Sequence, residues 1–252
     1  MDIWKYYDTT HKKHIICNPM SKDKLDRLFI LFGLKPSSRV LDIACGKGEF
    51  LIRLTQLFNI SGVGVDISPY FIKDCKENKN KRVPNSDIEF LEMDGSKYLP
   101  KGNEKFDLTM CIGASFIYKG FIGTINALKD MTKPNGHIII GEPYWLKNPD
   151  DKYLEISRMK KEDFNSHLKN IEISDKEGLN CLYTLVSNHD DWDNYETLQW
   201  WSTNDYVTSN PDDPDNPELL DKIKKAKKEY LLYGRDTLGW AVYVFKRKKT
   251  NL

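Results

Sequence analysis

The chain has 252 residues, enough for one large domain or one domain with an insertion. With 40% hydrophobic and 30% charged residues it is neither a disordered tail nor a membrane protein, and 38 basic against 37 acidic residues leave a net +1, too little to draw the whole chain to nucleic acid or to an anionic bilayer. Five cysteines, scattered and never paired as CxxC, suit reduced thiols; with no apolar leader and no apolar run approaching the ~20 residues of a membrane span, a cytoplasmic protein is the expectation.

Before residue 20 the chain is polar and aromatic without a period. From Ser21, apolar residues at Leu25, Leu28, Phe29 and Phe32 mark one face of a helix that Gly33 can end. Arg39 to Ile43 predicts a strand, and Phe50, Leu51, Leu54, Leu57 and Phe58 predict a helix after a glycine turn. Gly62 to Asp66 is a second strand; Ser68-Pro69 then joins a good N-cap to the residue best tolerated at the first helical position, so another helix starts there. Further strands are expected at Ile88–Met93, Phe106–Ile112 and His137–Glu142, with a helix over Phe121–Met131 and a turn at Lys133–Gly136. Strands alternating with helices imply parallel pairing through right-handed crossovers: an α/β, doubly wound sheet covered on both faces.

Beyond residue 146 the rhythm loosens. One or two helices are expected over 151–175, a strand at Cys181–Ser187, an aromatic helix over Asp191–Tyr206, a hinge or loop at Pro211–Pro217, a helix along Leu219, Ile223, Ala226 and Tyr230, and a closing strand at Trp240–Phe245. The expected organisation is a single domain: an N-terminal flap and leading helix (1–36), a cofactor-binding core (37–146), and a partial helical lid with the closing strands of the same sheet (147–252).

The strongest chemical signal is Val40-Leu41-Asp42-Ile43-Ala44-Cys45-Gly46-Lys47-Gly48-Glu49-Phe50, a strand running through glycines into a helix. Glycines let backbone N–H groups approach a ligand, and Asp66, 20 residues after Gly46, stands at the tip of the next strand, where a carboxylate can take both hydroxyls of a ribose. A dinucleotide loop would have a third glycine where Leu51 stands, and Asp42 and Glu49 repel a pyrophosphate. These acids suit a ligand presenting an ammonium and a sulfonium, S-adenosylmethionine. Asp94, ending the third strand, can accept from an adenine amino group while adjacent backbone reads the ring. Three acids thus fall at three consecutive strand ends, the ligand-binding edge of an open α/β sheet.

In order, VLDIACGKGEF, GVGVDIS, EFLEMDG, FDLTMCIGASF and TKPNGHIIIGEPYW resemble the successive motifs of class I S-adenosylmethionine-dependent methyltransferases over about residues 37–146. The resemblance implies a seven-stranded, mostly parallel Rossmann-like sheet whose last strand is antiparallel. It places Gly46 and Gly48 at the methionine end with Asp42, Ala44 and Cys45, Asp66 and Ile67 at the ribose, Asp94 and Gly95 at the adenine, and Cys111 and Ile112 along the cofactor. Ala44 departs from the glycine usual there. The remaining motifs, among them ICNPMSKDKLDRL and DDWDNYETLQW, look like a bacterial branch acting on a small molecule.

For the acceptor pocket the candidates are Asn18, Ser115, Tyr144 and Trp145, and for a general base Glu142 and His14, the latter folding over the site with the N-terminal segment. His11, His14 and Cys17 at i, i+3 and i+6 lack a fourth ligand nearby, so no metal is expected. The near-neutral charge and the aromatic lid favour a small-molecule acceptor over nucleic acid. A nucleic-acid methyltransferase, a nicotinamide-dependent oxidoreductase and a cofactor-binding module without turnover stand as alternatives.

Overall fold

The computed structural model describes residues 1–102 and 104–248, so the end of the segment expected over 147–252 lies outside the described residues. Seven strands form one sheet: β1 (Arg39–Ile43), β2 (Ser61–Asp66), β3 (Ile88–Glu92), β4 (Phe106–Ile112), β5 (Thr132–Trp145), β6 (Leu179–Val186) and β7 (Leu238–Arg247), in the order β3-β2-β1-β4-β5-β7-β6. The pairs from β3 to β5 are parallel, and β7 runs antiparallel to both β5 and β6. The chain leaves β1 outward to β2 and β3, then returns to β4 on β1's other side, opening the crevice in which such sheets bind ligands.

One face of the sheet is covered by α2 (Lys22–Ile30), α3 (Glu49–Phe58) and α4 (Pro69–Arg82), where Leu25, Phe29, Leu51 and Ile72 pack on Val40, Leu108 and Met110. The other face carries α5 (Phe121–Met131) and, after the short α6 (Asp151–Ser157), α7 (His167–Lys176), packed through Phe121, Ile125, Leu128 and Ile171 on Leu41, Ile43 and Tyr243. Each fully buried leucine or isoleucine contributes roughly 1.5–3 kcal/mol relative to exposure, so the strand alternation fixes which side chains face which layer. The turn expected at Lys133–Gly136 is an irregularity inside β5, between the pairs Phe106↔Thr132 and Leu108↔His137.

The N-terminus departs from the sequence expectation. The aperiodic N-terminus forms α1 (Ile3–Thr10), started by Asp2, whose carboxylate accepts from the Lys5 N–H at 2.9 Å. Beside Trp4 and Tyr7 on one face, charge helps to hold it: Lys5 meets Asp213 (2.9 Å) and Asp215 (2.6 Å). Those acids precede α9 (Asn216–Glu229), which packs on α8 (His189–Ser209), so α1, α8 and α9 form one cap. Among the described residues no helix is long and apolar enough to cross a membrane.

Candidate functional site

After β1 the chain turns into α3 through three left-handed residues, Ala44 (φ +58°), Gly46 (+53°) and Gly48 (+75°). Left-handed backbone costs a residue with a Cβ ~1–2 kcal/mol, part of which a glycine loses again to the freedom of the unfolded chain. Ala44→Gly is therefore expected to stabilise the protein by about 0.5–1 kcal/mol in urea unfolding; a less stable variant would contradict the reading of this turn.

The turn borders a cavity of about 690 Å³ at the carboxyl ends of β1, β2 and β4, and Asp42, Asp66 and Asp94 all line it. Asp66 is buried; its Oδ2 accepts from the Gly46 N–H and its Oδ1 from the Ser68 N–H, both at 2.9 Å, so one carboxylate ties the glycine turn to the start of α4. Burial raises its pKa against these hydrogen bonds. Asp42 is buried and, among the described residues, has no salt-bridge partner; burial first, then the charge of Asp66, pushes its pKa well up. Asp94 is half-buried, accepts from the Ser96 hydroxyl (2.7 Å) and N–H (2.9 Å), and titrates below the usual range for that reason. Ala44, Cys45, Gly46, Ile67, Gly95 and Ile112 also line the cavity. Glu49 departs from expectation: its carboxylate is taken up by Arg82 and Arg53, leaving it no net charge for an ammonium.

The cap closes over this floor. Lys47, within the glycine turn, donates to the carbonyls of His11 (2.8 Å) and Lys12 (3.4 Å), fastening the end of α1 to the turn. Asn18 lines the cavity and lies where a Cβ on Gly113 would be, 2.5 Å from its Oδ1. Trp4, Tyr7, His11, Phe71 and Tyr195 complete the upper wall.

Other expected site residues lie elsewhere. Gly48 shapes the turn from beneath, against Phe90 and Cys75. Cys111 is fully buried in the α5 layer. His14 borders a neighbouring cavity and holds the Tyr195 carbonyl at 2.9 Å. Tyr144 and Trp145 anchor the segment after β5, Tyr144 against His167 and Trp145 through its indole N–H to the Lys161 carbonyl at 2.9 Å. Ser115 donates to Glu142 Oε1 at 2.7 Å, while Glu142 Oε2 is buried without a partner.

Burial raises the Glu142 pKa to about 7 from an ordinary 4.5. A carboxyl whose folded pKa is raised contributes stability that is complete below its unfolded pKa and lost as pH rises through its folded pKa. Glu142→Gln, uncharged throughout, should thus gain about 2 kcal/mol on the wild type between pH 5 and 8. Parallel stability curves for the two proteins would exclude this.

Sequence reading did not single out Tyr7, Phe71 or Tyr195; the places of Tyr7 and Tyr195 depend on a cap assembled from both ends of the chain. Only Gly113, inside IGASF, offered a local signal.

The family described as Methyltransferase domain matches residues 34–199. The uncharacterized protein YjhP of Escherichia coli is 30% identical over 247 residues, 96% of this chain and 98% of that one. An S-adenosylmethionine-dependent methyltransferase from Geobacter sulfurreducens, crystallised with S-adenosyl-L-homocysteine, is 29% identical, with a TM-score of 0.92 over 98% of this chain and 99% of that one. Another from Thiobacillus denitrificans, also with S-adenosyl-L-homocysteine, is 29% identical with a TM-score of 0.90 over 98% and 100% of the two chains. A seven-stranded sheet with its last strand reversed, a left-handed glycine turn and acids at successive strand ends agree with these matches, and the chain belongs to the class I S-adenosylmethionine-dependent methyltransferases.

Proposed function

We propose that the protein methylates a small-molecule acceptor held between the strand ends and the α1–α8 cap. The observation that carries this reading is the convergence of Asp42, Asp66 and Asp94 on one cavity roofed by aromatic side chains. The donor set fits the cofactor: a cation beside Asp42 would bring its raised pKa back down, Asp66 is pre-set for the ribose, and the left-handed Gly46 lines the cavity where the methionine end would lie. Asp94 and Gly95 stand at the adenine end of the same row, and Ile67 and Ile112 supply apolar faces.

When bound, the cofactor supplies a methyl group on a positively charged sulfur. The protein's part is to hold both reactants in register and to keep water out, and alignment alone accounts for a large share of such a barrier. Lys47 keeps the cap down, Asn18 closes the gap above Gly113, and the ion pairs of Lys5 tie α1 to the start of α9. A small acceptor is favoured over a nucleic acid because Lys47 is the only cation lining the cavity among the described residues.

The test is mass spectrometry of a metabolite extract and of total RNA and DNA, each incubated with the protein and methyl-labelled cofactor. Label is expected in a low-molecular-weight product; label confined to nucleic acid would replace this reading with the nucleic-acid one.

A further inference from the structure

We infer that Tyr195 and His11 form an acceptor-reading pair, and that the acceptor is an uncharged flat molecule bearing an N–H or O–H group. The inference rests on the methyl-transfer reading above and names the substrate class for that site.

Both side chains line the cavity, with His11 Nε2 2.9 Å from the Tyr195 hydroxyl. His11 Nδ1 lies 3.2 Å from the Tyr7 carbonyl, which can only accept, and 3.0 Å from the Thr10 hydroxyl, whose own hydrogen goes to the Tyr6 carbonyl at 3.0 Å; with two acceptors facing it, Nδ1 carries the hydrogen and Nε2 is bare. Tyr195 therefore donates to His11, and its oxygen keeps lone pairs for a hydrogen-bond donor on a ligand. Burial lowers the His11 pKa to about 3 and raises that of Tyr195, so the pair is uncharged at neutral pH.

The rest of the upper wall is aromatic and apolar, from Trp4, Tyr7, Phe71, Ile15 and Ile16. Such surfaces match flat apolar rings. The charges on the lining disfavour an anion: Asp42, Asp66 and Asp94 are acids, while Glu49 is already paired with Arg82 and Arg53. Lys47 is occupied by the carbonyls of His11 and Lys12 and by Asp74 at 3.4 Å. An anionic acceptor would meet carboxylates with no cation to receive it.

The experiment first measures S-adenosylhomocysteine binding by calorimetry. It then titrates the loaded protein with three probes by saturation-transfer NMR: p-cresol, 4-methylanisole (the same ring without a hydrogen to donate) and p-toluate (an anion at neutral pH). p-Cresol is expected to bind about tenfold more tightly than 4-methylanisole, p-toluate not measurably, and Tyr195→Phe to erase the p-cresol preference while 4-methylanisole still binds. His11→Gln, which unseats the tyrosine hydroxyl, should narrow the same preference. No measurable p-cresol binding, p-toluate binding comparable to p-cresol, or a preference that survives in Tyr195→Phe would overturn the inference and leave methyl transfer standing. A chain that binds no S-adenosylhomocysteine would overturn both.

Discussion

Asp66→Asn is expected to weaken S-adenosylhomocysteine binding about a hundredfold in calorimetry while leaving the protein about as stable as before. In the native site both oxygens already accept a backbone N–H, from Gly46 and Ser68 at 2.9 Å each. An asparagine offers one acceptor and one donor to these two donors, so one N–H must face an amide N–H. Either the tip of the glycine turn or the start of α4 then loses its tie. The charge-assisted contact proposed for Asp66 with the ribose would disappear as well, and such a contact is worth roughly 1.5–3 kcal/mol. Stability should change little, because the lost hydrogen bond is offset by removing a buried carboxylate whose pKa burial has raised. An affinity within threefold of wild type would show that Asp66 only shapes the loop.

Much of this arrangement was legible in the sequence because its signals are local. β1 to α4 is written in short apolar runs punctuated by Gly46, Gly48, Ser68 and Pro69, and the ends of the first three strands follow from that register. Since the strands are parallel and adjacent, three acids at three such ends must lie along one edge.

What stayed hidden depends on partners far along the chain. α1 is tied through Lys5 to Asp213 and Asp215, about two hundred residues on. Glu49 reads as a free acid until Arg82, 33 residues later, closes on it. The displacement of Glu142 and Tyr144 from the cavity has a cause visible in the pairing. β5 does not stop at Glu142 but continues to Trp145 beside β7, so Glu142 and Tyr144 alternate in phase with Ile138 and Ile140 and face the α5 layer. Gly141, out of phase with them, lies on the opposite side beneath Trp240, where a Cβ would come within 3.0 Å of the indole.

Gly48→Ala should lower stability by about 3 kcal/mol, the sum of ~1–2 for left-handed backbone and ~1–3 for overpacking with partial relaxation. In a chain of this length that corresponds to a melting temperature roughly 10 °C lower. The added Cβ would sit 2.7 Å from two atoms of the Phe90 ring and 3.0 Å from Cys75 Sγ. The same edge of the ring fills the space left by Gly64, where a Cβ would lie 2.6 Å from Cδ1 and 2.7 Å from Cε1 of Phe90. Two glycines on different elements thus make room for one edge of Phe90 behind the cofactor turn, which makes the clash testable separately from the backbone strain. Phe90→Leu alone opens a cavity and destabilises. In the double variant the shorter side chain accommodates the new methyl, so the two losses should fall short of their sum by about 1–2 kcal/mol. Strictly additive losses would assign the whole penalty to the positive φ of Gly48 and none to Phe90. Because the turn that Phe90 supports also carries Gly46 and Lys47, the single variant should lose S-adenosylhomocysteine affinity as well, and the double variant should recover part of it.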